Sequence, residues 1–230
     1  MKTDPKTNTP TAAPLSQIAR TLPTSTRRFS IPRPDRDIAN HLYLRASAAS
    51  SRRGATYQVT EEIHAIILRI AQWLADPREK PWLLLMGLYG NGKSTLARAL
   101  ADTVRAYAEQ ELGYNKFLVS YYDAKYLSEL FIRDRAAFDR IADTDLLVID
   151  DLGIEPKEVL AYGMTHTPVV DIITHRYNRD LMTVITTNLE GRDLAPRYGQ
   201  RIVDRLHEQA LTIPFLAPSF RKKSQNPERE

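Results

Sequence analysis

No cysteine occurs in the 230 residues, which excludes disulfides, thiol catalysis and thiolate-bound metal together and fits a reducing, cytoplasmic setting. The five histidines (His41, His64, His166, His175 and His207) show no ligand spacing, so an imidazole-held metal is not expected either. No run approaches the ~18 uncharged apolar residues that cross a bilayer, and a membrane is not an expected partner. No apolar core follows Lys2, as a secretory signal requires.

What is present describes one domain with something attached: 43% hydrophobic and 26% charged residues, with enough chain for a real core. The net charge of +4 conceals a division. Residues 1–56 carry +7, residues 57–218 carry −5 and the last twelve carry +2. The expected organisation is therefore a basic, largely disordered arm over 1–56, an ordered body over 57–221 and a tail over 222–230. Pro5, Pro10, Pro14, Pro23, Pro32 and Pro34 punctuate the arm among many Ser and Thr. They also break the amphipathic helix that an organellar transit peptide needs, although the Arg and Ser/Thr content fits one. A short helix fits around 37–49.

Order is expected from Thr60, which can cap a helix whose first turn holds Glu61 and Glu62. Ile63, Ile66, Ile67, Ile70, Trp73 and Leu74 give that helix one apolar face. Strands then fit 82–86, 117–122, 145–149, 181–186 and 211–215. Helices fit 93–112, 124–132, 136–141, 168–179 and 199–210. Five short apolar strands separated by helices predict an α/β fold with a five-stranded parallel sheet covered on both faces.

The sharpest motif is GLYGNGKST: Gly87, Leu88, Tyr89, Gly90, Asn91, Gly92, Lys93, Ser94 and Thr95. It follows an apolar strand and opens a helix. Its glycines let backbone N–H groups point at phosphates, and the helix N-terminus adds positive potential. Lys93 reaches phosphate oxygens, Ser94 ligates Mg²⁺, and Thr95 can bond the α-phosphate. Its partner is the run ending in Asp150 and Asp151. Two like charges at the end of a buried strand repel and lose solvation, which a cation relieves. Asp150 is expected to hold Mg²⁺ and Asp151 to polarise the water that attacks the γ-phosphate of ATP. Asn188, after the strand 181–186, either orients that water or makes a turn. Arg201 and Arg205 lie four apart on one helical face, which by itself usually means a solvated, salt-bridged surface.

The order of these motifs resembles the AAA+ ATPases over about residues 57–221. The phrases DLLVIDDLGIE, VITTN, GQRIVDRL and APSFRKK resemble the DnaC/IstB group of helicase loaders and transposition helpers. The resemblance implies a Walker A motif at Gly87–Thr95, a Walker B motif at Asp150 and Asp151, and a sensor role for Asn188. It implies an arginine finger at Arg205 with Arg201 as companion, acting on a neighbouring subunit of a homo-oligomer. Implied partners are a replicative, DnaB-like helicase or a transposase, and single-stranded DNA. Tyr121, Tyr122, Lys125, Tyr126, Phe131, Arg133 and Arg135 mix aromatic and basic groups in the way that unpaired bases require, unless the aromatics are core. Only fifteen residues follow Phe215, too few for the helical lid of most AAA+ proteins, and Arg221 is a candidate nucleotide sensor there.

Asp151 departs from the Glu usual in AAA+ proteins, so slow hydrolysis is expected, with Glu155 as a substitute base. An ATP-switched adaptor without hydrolysis is the alternative of another class. A small-molecule kinase is disfavoured, because the later motifs serve Asn188 and Arg205 rather than an acceptor pocket.

Overall fold

The computed structural model describes residues 28–216. The first 27 residues of the basic arm, Arg221 and the tail from 222 lie outside the described residues. Helix α1 (Asp35–Ser51) is followed by α2 (Glu61–Ala75), β1 (Trp82–Gly87) and α3 (Lys93–Leu112). Next come β2 (Val119–Asp123), α4 (Ala124–Arg133), α5 (Arg135–Ala142) and β3 (Leu146–Leu152). A small hairpin, β4 (Val159–Ala161) and β5 (Met164–His166), leads into α6 (Pro168–Asn178) and β6 (Met182–Thr187). Helices α7 (Gly191–Tyr198) and α8 (Gln200–Gln209) precede β7 (Ala210–Phe215).

Five strands form one sheet in the order β2-β3-β6-β1-β7, and every adjacent pair is parallel. The sheet carries a hydrophobic core on each face, as unbroken apolar runs such as Leu83–Leu85 and Leu146–Ile149 require. Thr60 caps α2, its Oγ1 accepting from the Ile63 amide at 3.2 Å. The expected strand and helix positions agree with this architecture to within a few residues. Missing from the sequence reading are the hairpin β4–β5 and the separate helix α7.

The arm also differs. Where the sequence offers a short helix within a flexible segment, the structure forms the 17-residue α1 and packs it against α2 and α3. Ile38, Leu42 and Ala46 face inward, and Ile31, just ahead of the helix, is fully buried. Burying Ile31, Ile38 and Leu42 contributes about 1.5–3 kcal/mol each, which offsets the cost of ordering the segment. The Ile31 amide donates to the Leu74 carbonyl at 2.8 Å and ties the strap to the end of α2.

The strand order positions the site. Strand β6 lies between β1, which delivers the glycine loop, and β3, which delivers the aspartates. Whatever follows β6 must therefore stand between them.

Candidate nucleotide site

The glycine loop runs from the end of β1 into α3 without room for side chains at its start. A Cβ on Gly87 would lie 2.3 Å from the Phe215 carbonyl oxygen at the end of β7. Gly92, the N-cap of α3, is left-handed (φ 97°), and no side chain caps the helix. The first-turn amides are thus left for a ligand at the positive end of a 20-residue helix. Asn91 is buried and donates to the Phe215 carbonyl at 3.2 Å, which anchors the loop to β7. The Ser94 and Thr95 side chains make no hydrogen bond among the described residues.

Lys93 is buried, and its Nζ donates to the carbonyls of Gly87 and Leu88, each at 2.7 Å. Its third proton goes to Asn188 Oδ1 at 2.8 Å, and Asn91 Oδ1 lies 3.1 Å away as a further acceptor. Burial lowers its pKa to about 8, against the opposing pull of Asp151 and Asp150. A phosphate would offer this cation a stronger acceptor than the loop's own carbonyls.

Successive strand residues point to opposite faces, so Asp150 and Asp151 should diverge. They do not, because β3 carries a register shift between Ile149 and Leu152, and Asp151 is left-handed (φ 53°). Aspartate is among the few residues that tolerate this conformation. Two threonines of β6 hold the irregularity, one toward each side. Thr186 Oγ1 donates to Asp150 Oδ1 at 2.5 Å and accepts from the Asp151 amide at 2.9 Å. Thr187 Oγ1 donates to the Leu152 carbonyl at 2.6 Å. Asp151 in turn accepts from Asn188 Nδ2 at 3.2 Å. Burial first, and then the charge of Asp150, raise the Asp151 pKa above the usual carboxylate range.

Lys93, Asn188, Asp151 and Asp150 thus form one connected group, while the remaining expectations divide. Glu155 is not a spare base: its Oε1 accepts from Tyr198 Oη at 2.5 Å and its Oε2 from the Gly153 amide at 2.8 Å. Arg197 forms an ion pair with it at 3.4 Å, and the residue is buried as a tie between the loop after β3 and α7. Arg205, the expected finger, is turned inward within the single chain. It is buried on α8, donates to Thr174 Oγ1 at 2.6 Å and lies over the Tyr177 ring at 4.7 Å, because α6 packs beside that turn of the helix. Arg201, one turn earlier, is exposed and has no ion pair or hydrogen bond among the described residues.

The aromatic–basic stretch also separates. Phe131 is core, and Tyr121 turns into the site, donating to Asp150 Oδ2 at 2.6 Å. Tyr122 and Tyr126 stack at 5.1 Å with Arg133 over Tyr126, leaving a mixed surface with Lys125 and Arg135. Lys125 pairs with Glu129 and Arg135 with Asp139. Sequence reasoning missed Thr186 and the site role of Tyr121. The two consecutive threonines that end β6 were the available signal for the first.

The donor set suits a hard divalent ion. Ser94 and Asp150 offer oxygen ligands, and an ion of the Mg²⁺ type takes its remaining places from phosphates and water.

No family model and no curated protein sequence matches the chain. Among solved structures, the crystal structure of the DnaC helicase loader is similar with a TM-score of 0.54 and 25% identity, covering 69% of this chain and 93% of that one. The crystal structure of DnaI is similar with a TM-score of 0.54 and 21% identity, covering 85% and 97%. A putative primosome component from Streptococcus pyogenes serotype M3 follows at 0.52 and 17%, covering 70% and 84%. The latter two likenesses are of fold. With the P-loop, the aspartate pair and the strand between them in this arrangement, the chain has the α/β P-loop NTPase fold and is similar to the DnaC helicase loader.

Proposed function

We propose that the chain is an ATP-dependent helicase loader that binds ATP and Mg²⁺ at Gly87–Thr95 and hydrolyses the nucleotide slowly. The carrying observation is the Lys93–Asn188–Asp151 line of hydrogen bonds, which connects the phosphate-binding cation to the carboxylate at 2.8 and 3.2 Å.

In this reading the loop amides and Lys93 bind the β- and γ-phosphates, and Ser94 and Asp150 hold the metal. The bound ion supplies charge neutralisation at the phosphate oxygens. Asp151 takes the proton of the attacking water. Its raised pKa suits a base poised closer to neutral pH than an ordinary aspartate. Asn188 orients that water and reports the state of Lys93. Arg201, exposed on α8, reaches nucleotide held by a neighbouring copy, so turnover depends on assembly. The half-buried Tyr122–Tyr126 stack, with exposed Arg133 over Tyr126, offers single-stranded DNA a platform and a cation.

The partner reading draws on the likeness to the DnaC helicase loader. It is tested by a pull-down that offers a replicative helicase and a transposase in parallel. Retention of the helicase in the presence of ATP is expected. Retention of the transposase alone would make the chain an IstB-like transposition helper.

A further inference from the structure

Both oxygens of Asp150 already accept hydrogen bonds from the protein: Oδ1 from Thr186 at 2.5 Å and Oδ2 from Tyr121 Oη at 2.6 Å. Tyr121 stands on the edge strand β2, paired with Val148 in the register of β3. Its hydroxyl also lies 3.3 Å from the Ser94 carbonyl. With a single proton to give, it donates to the nearer, charged acceptor. Burial and the charge of Asp150 push its pKa well above the ordinary tyrosine value, so it stays a donor at neutral pH. Arg98, one turn after Ser94 on α3, lies over the ring at 3.2 Å from its centroid and fixes it from the other side.

A carboxylate has about four acceptor positions, so two bonds still leave room for a metal or its water shell. What they remove is rotation. Held from β2 on one oxygen and from β6 on the other, Asp150 presents its remaining lone pairs in one direction.

We propose that Tyr121 is a positioning residue for the divalent ion, fixing the Asp150 carboxylate through Oδ2 against the helix that carries Ser94. The inference rests on the ATP–Mg²⁺ reading above and assigns that site a residue outside its sequence motifs.

The test uses the full chain with Mn²⁺ as probe, titrated in the presence of saturating AMPPCP and followed by electron paramagnetic resonance. AMPPCP binding without metal and thermal melting are measured in parallel. If the wild-type chain binds neither AMPPCP nor Mn²⁺, the nucleotide reading itself fails. Given wild-type binding, Tyr121→Phe keeps the ring under Arg98 and removes the hydroxyl alone. Its Mn²⁺ affinity is expected to fall about tenfold, as for other outer-shell partners of a metal ligand, while metal-free AMPPCP binding and melting stay at wild-type values. Adding Tyr121→Phe to Asp150→Asn should cost nothing more, because the hydroxyl acts through that carboxylate. Unchanged Mn²⁺ affinity in Tyr121→Phe overturns the proposal, as does a further tenfold loss in the double variant. Loss of metal-free AMPPCP binding or a clear fall in melting temperature would make the residue's role structural and overturn it equally.

Discussion

Asn188 accepts a hydrogen bond from Lys93 at 2.8 Å, across the boundary between two neighbouring strands of the sheet. The same amide donates to Asp151, so one side chain links phosphate binding to the proposed base. Asn188→Ala should leave ATP affinity within a fewfold of wild type and lower turnover by about 100-fold, the scale for losing one preorganised polar group. Parallel binding and phosphate-release assays separate the two effects. An equal loss of both would reduce Asn188 to a loop support.

Lys93 brings a pH dependence with a definite sign. Its pKa in the nucleotide-free protein is lowered to about 8, and phosphate charge would raise it again. Above pH 8 the complex therefore holds more protons than the free protein, and AMPPCP affinity should fall as pH rises, approaching tenfold per unit. Below about pH 7 the affinity should be nearly flat with respect to this group. Folding shows the other side of the linkage. The unfolded lysine, at 10.5, keeps its proton where the folded one releases it, so Lys93's contribution to stability rises between pH 8 and 10.5. Calorimetric titrations at several pH values check the binding arm.

The two arginines of α8 should behave differently despite sharing a helical face. Arg201→Ala removes an exposed group and should leave the melting temperature unchanged while lowering turnover on the order of a thousandfold, as loss of a trans-acting arginine does. Arg205→Ala removes the bond to Thr174 and the cover over Tyr177, and should cost about 1–2 kcal/mol in a urea melt. Turnover lost in Arg205→Ala with stability intact would return the finger role to that residue.

Glu155→Ala should act on stability. Both carboxylate oxygens are engaged, and the change removes the ion pair of Arg197 and leaves the Tyr198 hydroxyl proton and the Gly153 amide without their acceptor. A loss of about 2–3 kcal/mol is expected from equilibrium denaturation, whereas Asp151→Asn should leave the denaturation midpoint within error.

The sheet was legible because its strands are short, apolar and separated by helices, and the phosphate loop because its glycines and lysine sit at fixed spacing. Asp150, Asp151 and Asn188 come together through strand order, which the motif sequence implied only by resemblance. What stayed hidden depends on contacts between distant positions. Tyr121 and Thr186 meet Asp150 across 29 and 36 residues; Tyr121 resembles any strand residue in sequence, and Thr186 stands out only as one of two threonines ending β6. Arg176 makes the same point at the opposite end of the strands, where β3 and β6 begin. It is fully buried and donates to carbonyls of Ala142, Thr144 and Met182 and to Thr183, partners that only the fold assembles. Helix α1 escaped notice as packed structure because its inward face is mostly alanine, with only Ile38 and Leu42 as large apolar residues. Arg201 and Arg205 were separated by the neighbouring helix, whose packing a helical wheel does not contain.

The most direct measurement is release of phosphate from ATP by the full chain with Mg²⁺, across a range of protein concentrations, beside Asp151→Asn. Slow release is expected, with specific activity that rises with concentration, and none from Asp151→Asn although that variant still binds ATP. A chain that binds ATP and Mg²⁺ but releases no phosphate at any concentration would contradict hydrolysis and identify a nucleotide-switched adaptor.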